Sequence, residues 1–246
     1  MSHSCEHEHE HGHGHGDHGH DHSPPLATNE VQSLYKYINT PQVRCLNAVG
    51  CGSNDLSSCF IKSQDDKYDI SKYLESDADC QLILHIPFTG VCRLFSCIFR
   101  FGRNSSGGIG SPKNVKLFKN FTKNIDFDNL SEAKPQHELE NPENVGIDVD
   151  GAAGATSVEN DAGFVEHHLP RQHFQNVESL TLFVENNWTG DEDDLTRCFY
   201  VELRGEFANH KRSDDEFPLM AVYEAAPNPL DHQKVESELG GTTLGM

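Results

Sequence analysis

Basic residues are scarce in this sequence: 19 Lys and Arg stand against 39 Asp and Glu, a formal charge of −20 over 246 residues. The segment 3–22 holds five acids and no Lys or Arg, yet without it the rest still sets 34 acids against 19 bases, a charge of −15. A body this acidic repels phosphate backbones and anionic lipid surfaces, so neither a nucleic acid nor a membrane is an expected partner. Long apolar runs are missing as well. The richest segments, near Leu82 and Val91, are far too short to cross a bilayer. The N-terminus has no basic stretch followed by an apolar one, so no secretory leader is expected, and the eight cysteines are expected to be reduced thiols.

Catalytic signatures are absent too. No GxSxG, HExxH or phosphate-cradling glycine loop occurs. No CxxC occurs either, so thioredoxin-type exchange has no basis in the sequence. Cys45-x5-Cys51 and Cys92-x4-Cys97 are poor zinc spacings, and on a regular strand positions 92 and 97 face opposite sides. Several cysteines lie in apolar runs, where the thiol behaves as a small hydrophobe. DVDGAAGATSVE (148–159) sets Asp148, Asp150 and Glu159 at the first, third and twelfth places of a calcium loop. Ala152 and Ala153 then occupy the fifth place and the sixth, which requires Gly, so the motif fails. His167, His168 and His173 in HHLPRQHF are expected to decorate a strand edge, and Asp77 and Asp79 of SDAD to hold a turn. No enzymatic activity and no cofactor are expected.

What is present begins with a low-complexity tail over residues 1–25, ended by Pro24-Pro25 and expected to be disordered. It holds nine histidines, His3 and the candidate metal ligands His7, His9, His11, His13, His15, His18, His20 and His22. Neutral imidazoles flanked by carboxylates bind zinc, nickel or copper. The tail fixes no geometry and has no outer shell to hold its ligands, so incidental affinity is the favoured reading. Divalent-metal binding or buffering is the alternative function.

Beyond the tail the pattern changes to period two. LYKYI (34–38) is compatible with a short helix or a first strand. CQLILHI (80–86) puts Leu82, Leu84 and Ile86 on one face. Pro87-Phe88-Thr89-Gly90 follows as a turn signal, since Pro ends a ladder and Gly permits an unusual backbone angle. VCRLFSCIFRF (91–101) is apolar on both faces, as a central strand would be; NVKLF (114–118), SLTLFVE (179–185), RCFYVELRG (197–205) and LMAVYE (219–224) complete the series. Two segments interrupt it: FGRNSSGGIGSP (101–112), expected to be an exposed loop, and an acid-, Gly- and Ala-rich stretch at about 131–163, expected to be a mobile insertion. Alternation with no sustained helical period argues for an all-β, jelly-roll β-sandwich.

Taken in order, KYLESDADCQLILHIPFTG (72–90), VKLFKNFTKNIDFDN (115–129), FQNVESLTLFVENN (174–187), TRCFYVELRGEF (196–207) and YEAAPNPLDH (223–232) resemble the PITH domain, the proteasome-interacting domain of thioredoxin-like proteins. The resemblance covers about 28–234, with RCLN (44–47) near its start and a short tail, 235–246, after it. It is of the stand-alone type, with the His-rich tail in place of a thioredoxin module. The resemblance implies a jelly-roll sandwich similar to galactose-binding-like domains, a cytoplasmic and nuclear protein, and the proteasome as partner. Contact surfaces on a sandwich are expected in its end loops. The candidates are Pro87, Phe88, Thr89 and Gly90; Arg204, Gly205 and Glu206; and Asn228, Asp231 and His232.

Overall fold

The structure, a computed structural model, describes residues 27–208. The histidine-rich tail, the strand expected at 219–224, the tail 235–246 and the candidates Asn228, Asp231 and His232 lie outside the described residues.

Among the described residues the chain forms ten strands: β1 (Arg44–Leu46), β2 (Ala48–Cys51), β3 (Tyr73–Ser76), β4 (Leu82–Arg103), β5 (Asn114–Lys119), β6 (His137–Glu140), β7 (Ile147–Asp148), β8 (Val165–His168), β9 (Val177–Val184) and β10 (Arg197–Phe207). Two short helices, α1 (Leu56–Phe60) and α2 (Phe127–Glu132), are capped by Asp55 and Asp126, whose carboxylates accept the backbone N–H of Ser57 and Asn129. LYKYI resolves into a single 3-10 turn, Tyr35–Tyr37, that buries Leu34 and Ile38 on either side.

The 22-residue strand β4 organises everything else. Its first half pairs antiparallel with β9 and β1, and β9 pairs on with β5 and β5 with β6. Its second half pairs antiparallel with β10 and β8, and β10 pairs on with β3 and β3 with β2. One strand thus belongs to two layers, and Cys92, facing Val177 on β9 and Phe207 on β10, marks the passage between them. Leu84, Leu117 and Leu182 from the first layer share one core with Leu74, Phe99 and Leu203 from the second. Alternation explains the shared core, whose apolar burial at about 25 cal/mol per Å² is the main stabilising term, while Ile83, Phe118 and Phe183 form a second cluster on the outer face of the first layer with Leu130 of α2.

The turn expected at Pro87–Gly90 is not there; these residues run inside β4. Pro87 is tolerated because its missing N–H coincides with an irregularity: regular pairing with β9 lapses between Pro87 and Cys92. The 37–39 segment covers the other side of that stretch, with Asn39 N–H donating to the Pro87 carbonyl (2.8 Å) and Ile38 bridging Phe88.

Cys92 and Cys97 do not face opposite sides. Both sit fully buried in the main core, because pairing slips by one residue between Leu94–Gly205 and Ser96–Arg204, leaving Phe95 without a partner on β10. This bulge switches the core-facing positions of β4 from Leu82, Leu84, Ile86, Phe88, Cys92 and Leu94 to Cys97, Phe99 and Phe101.

The 131–163 stretch is no structureless rim loop. It carries β6, which extends the first layer, and β7, which pairs in parallel with the end of β4. Ile147 and Val158 close over Phe199 and Ile70 on the outer face of the second layer. A few apolar residues and many backbone groups suffice, since Arg100 donates to the carbonyls of Val158 (2.6 Å) and Asn160 (3.3 Å). Likewise only part of 101–112 is an exposed loop: Phe101–Arg103 finishes β4, and Ile109 to Pro112 is buried and tied through Gly110 N–H to the Leu195 carbonyl (2.9 Å).

Candidate interaction surface

Two of the three predicted contact segments meet, through strand pairing rather than through loops. β10 lies against β4 with Glu206 opposite Arg93 and Phe207 opposite Cys92, which carries the end of β10 alongside Gly90. A Cβ on Gly90 would come within 2.9 Å of the Phe207 ring, so the ring rests on bare backbone. On its other side Phe207 stacks on Tyr37, and Thr89 donates from its hydroxyl to the Tyr37 carbonyl (3.2 Å). The result is a patch of Tyr37, Thr89, Arg93, Glu206 and Phe207. Arg93 and Glu206 form a 3.6 Å ion pair whose side chains are 58% and 59% exposed, too solvated to add much to stability and free to be read by a partner.

The remaining predicted residues play other parts. Phe88 is a core residue. Gly205 is a steric necessity: a Cβ there would lie 1.9 Å from the Arg93 carbonyl oxygen, at the bulge. Arg204 turns inward to Glu202, its Nε 2.8 Å from Oε1 and its Nη2 3.4 Å from Oε2, in a fork-to-carboxylate arrangement with both side chains largely buried. Tyr200 donates to the same carboxylate (3.1 Å), and burial, then the Glu202 charge, push its phenol up, so it remains a neutral donor. Arg204 Nη1 reaches the Thr28 hydroxyl (3.3 Å), which in turn donates to Glu166. Burial raises the Glu166 carboxyl, but hydrogen bonds from Thr28 and Ser96 together with the Arg204 charge hold it below the usual range. This cluster borders a recess of about 180 Å³ with Lys67 and Asp161 on its rim. Every charge in the Arg204–Glu202 pair is matched internally, which suits holding two strands and the 27–29 segment together.

No catalytic arrangement emerges from the buried groups described. His167 bonds Asn141 Oδ1 through Nε2 (2.7 Å), and burial, helped by His137 and His168, pushes it down to about 4. Burial pushes the thiols of Cys45, Cys92 and Cys198 up to about 12, which makes them poor nucleophiles. Among the described residues no three His, Cys, Asp or Glu side chains converge as metal ligands do, and no helix is long and apolar enough to cross a membrane.

Sequence reasoning missed Tyr37, Arg93 and Phe207 as surface residues. Phe207 closes the quoted stretch TRCFYVELRGEF, and alternation from Leu203 would have placed it on the core side. Arg93 and Tyr37 join the patch only through pairing register, which no single stretch of sequence displays.

Among solved structures the chain is similar to a CBM32 domain of a family 31 glycoside hydrolase from Clostridium perfringens, at 10% identity and a TM-score of 0.38, over 70% of this chain and 96% of that one. In sequence it is 32% identical over 213 residues to PITH domain-containing protein 1 of Danio rerio, covering 83% of this chain and 82% of that protein. A PITH domain-containing protein of Schizosaccharomyces pombe is 29% identical over 214 residues, covering 87% of this chain and 90% of that protein. The PITH domain profile matches residues 24–227. This match and the identity to curated relatives agree: the chain belongs to the PITH domain family.

Proposed function

We propose that this protein is a non-catalytic interaction module that docks on the proteasome, in cytoplasm and nucleus, through the edge formed by β4, β10 and the 37–39 segment. Membership of the PITH domain family supports the kind of function. The observation that carries the site is the Phe207 ring held between Tyr37 and Gly90, with the exposed Arg93–Glu206 pair beside it. An aromatic anchor beside solvated charges is the composition of interaction hot spots. The Tyr200–Glu202–Arg204 cluster beneath the edge is satisfied by its own hydrogen bonds and serves the fold.

The test is affinity capture of the full chain from native lysate at low salt, read by quantitative mass spectrometry. Proteasome subunits should be enriched, and a Thr89→Arg, Glu206→Arg double variant with an unchanged melting temperature should lower that enrichment at least about tenfold. Absence of proteasome subunits from the wild-type capture would overturn the partner. Equal capture by the variant would overturn the docking edge.

A further inference from the structure

Between the end of β4 and the 146–163 segment lies a cavity of about 330 Å³, within the size range of small-molecule sites. Two arginines line it, and neither has a carboxylate within ion-pair distance among the described residues. Arg100 is fully buried. Its Nη atoms donate to the carbonyls of Lys67 (3.2 Å), Val158 and Asn160, and its plane lies over the Phe164 ring at 4.5 Å. Carbonyl dipoles and a ring face stabilise the cation but do not neutralise it, whereas a buried charge is normally paired. Its Nε–H has no partner, and the Nε–H of Arg103 is likewise buried and unpartnered. A role as a pin for the 146–163 segment accounts for the Nη contacts of Arg100. It accounts neither for the two idle Nε donors nor for Arg103.

The absence of a side chain at Gly163 leaves the Arg100 donor bare. Gly163 lines the cavity, and a Cβ there would sit 3.5 Å from Arg100 Nε, over the unused N–H. Asp148 also lines it, one carboxylate oxygen taking the Gly151 N–H at 3.3 Å. Two cationic donors on separate residues with one acceptor beside them set the ligand's chemistry. It must offer anionic oxygens in divergent directions and a proton to give. A planar carboxylate anion has no proton to donate; a monoprotonated phosphate has both.

We infer that this cavity binds a small phosphate-type oxyanion, free or as the head of a small monoester, through Arg100 and Arg103 with Asp148 accepting its P–OH. The chain's net charge of −20 opposes unspecific anion uptake, so binding at this place has to be local.

The experiment is calorimetric titration of the full chain with inorganic phosphate at constant ionic strength, with glycerol 3-phosphate and succinate as parallel ligands. Phosphate should bind with one-to-one stoichiometry. Arg103→Gln should weaken binding about tenfold or more. Gly163→Ala should weaken it too, since a methyl at ordinary contact distance covers Arg100 Nε without straining the backbone. Arg44→Gln, an exposed position, should change nothing. Tighter binding of glycerol 3-phosphate would assign the monoester, and tighter binding of inorganic phosphate the free ion. No binding of either phosphate, unchanged binding by both Arg103→Gln and Gly163→Ala, or equal binding of succinate would overturn the inference. Should Arg103→Gln fail to fold, Gly163→Ala and Arg103→Lys decide it, the lysine keeping the charge and losing the Nε–H.

Discussion

The rings of Tyr37 and Phe207 stack with centroids 3.9 Å apart and planes within 2° of parallel, joining a 3-10 turn near the start of the chain to the last described strand. Phe207 is partly buried against the core while covering Gly90. Phe207→Ala should therefore cost about 1–3 kcal/mol, less than a full core deletion, measured by urea unfolding. Phe207→Tyr should keep most of that stability, since the stack survives.

Gly205 tests the bulge. With the Arg93 carbonyl 1.9 Å from where a Cβ would stand, Gly205→Ala has to push β10 off β4. A loss of at least about 2–3 kcal/mol is expected in equilibrium unfolding, well above the effect of a strand glycine in open space.

The Glu202–Arg204 pair makes opposite predictions for single and double changes. Glu202→Leu strands a largely buried guanidinium and an unpaired Tyr200 hydroxyl, costing about 3–5 kcal/mol. Replacing both, as in Glu202→Leu with Arg204→Met, should restore much of it, because neither member of the pair is then buried alone, while Glu166 keeps its hydrogen bond from Thr28. A double-mutant cycle by thermal unfolding separates the two.

His167 gives the pH dependence a sign. Burial first, then His137 and His168, lower it from the ordinary 6.5 to about 4, so it stays neutral when folded at a pH where the unfolded chain binds a proton. Its contribution is whole above about 6.5 and disappears as pH falls from there towards 4. Discounted for partial solvent contact, the loss is on the order of 2 kcal/mol. Unfolding free energies at pH 7 and pH 5 should differ more for the wild type than for His167→Gln, which titrates nothing and retains a donor for Asn141.

Much of this fold could be read from alternation. The inward faces of 80–86 and 179–185 fall where Leu82 and Leu182 predict, although Ile83 and Phe183 on their other faces are buried too; in 197–203 Val201 and Leu203 face the main core, but an irregularity between Cys198 and Tyr200 turns Phe199 to the outer face. The proline was misleading because it marks an irregularity inside a strand as well as it marks a turn. The bulge at Phe95 left no local sign, so the two-sided run 91–101 read as a central strand while its change of inward parity stayed hidden. The 131–163 stretch was misjudged by composition: its attachment runs through the backbone pairing of β6 and β7 and through carbonyls that bind Arg100, and backbone groups are invisible in a residue count. The proposed contact edge was half legible. Its β4 and β10 segments were singled out, but only the antiparallel register brings them together and adds Tyr37.

Because β4 is shared by both layers, neither can be finished before the other. Nearly every pairing it makes is with residues far along the chain, and β10, which flanks its second half, comes about a hundred residues later. Assembly must therefore be slow and all-or-none, in the manner of non-local β topologies. During synthesis the ribosome releases a long two-sided apolar ribbon well before the strand that seals it, which makes this interval the moment of greatest exposure to self-association and to chaperones.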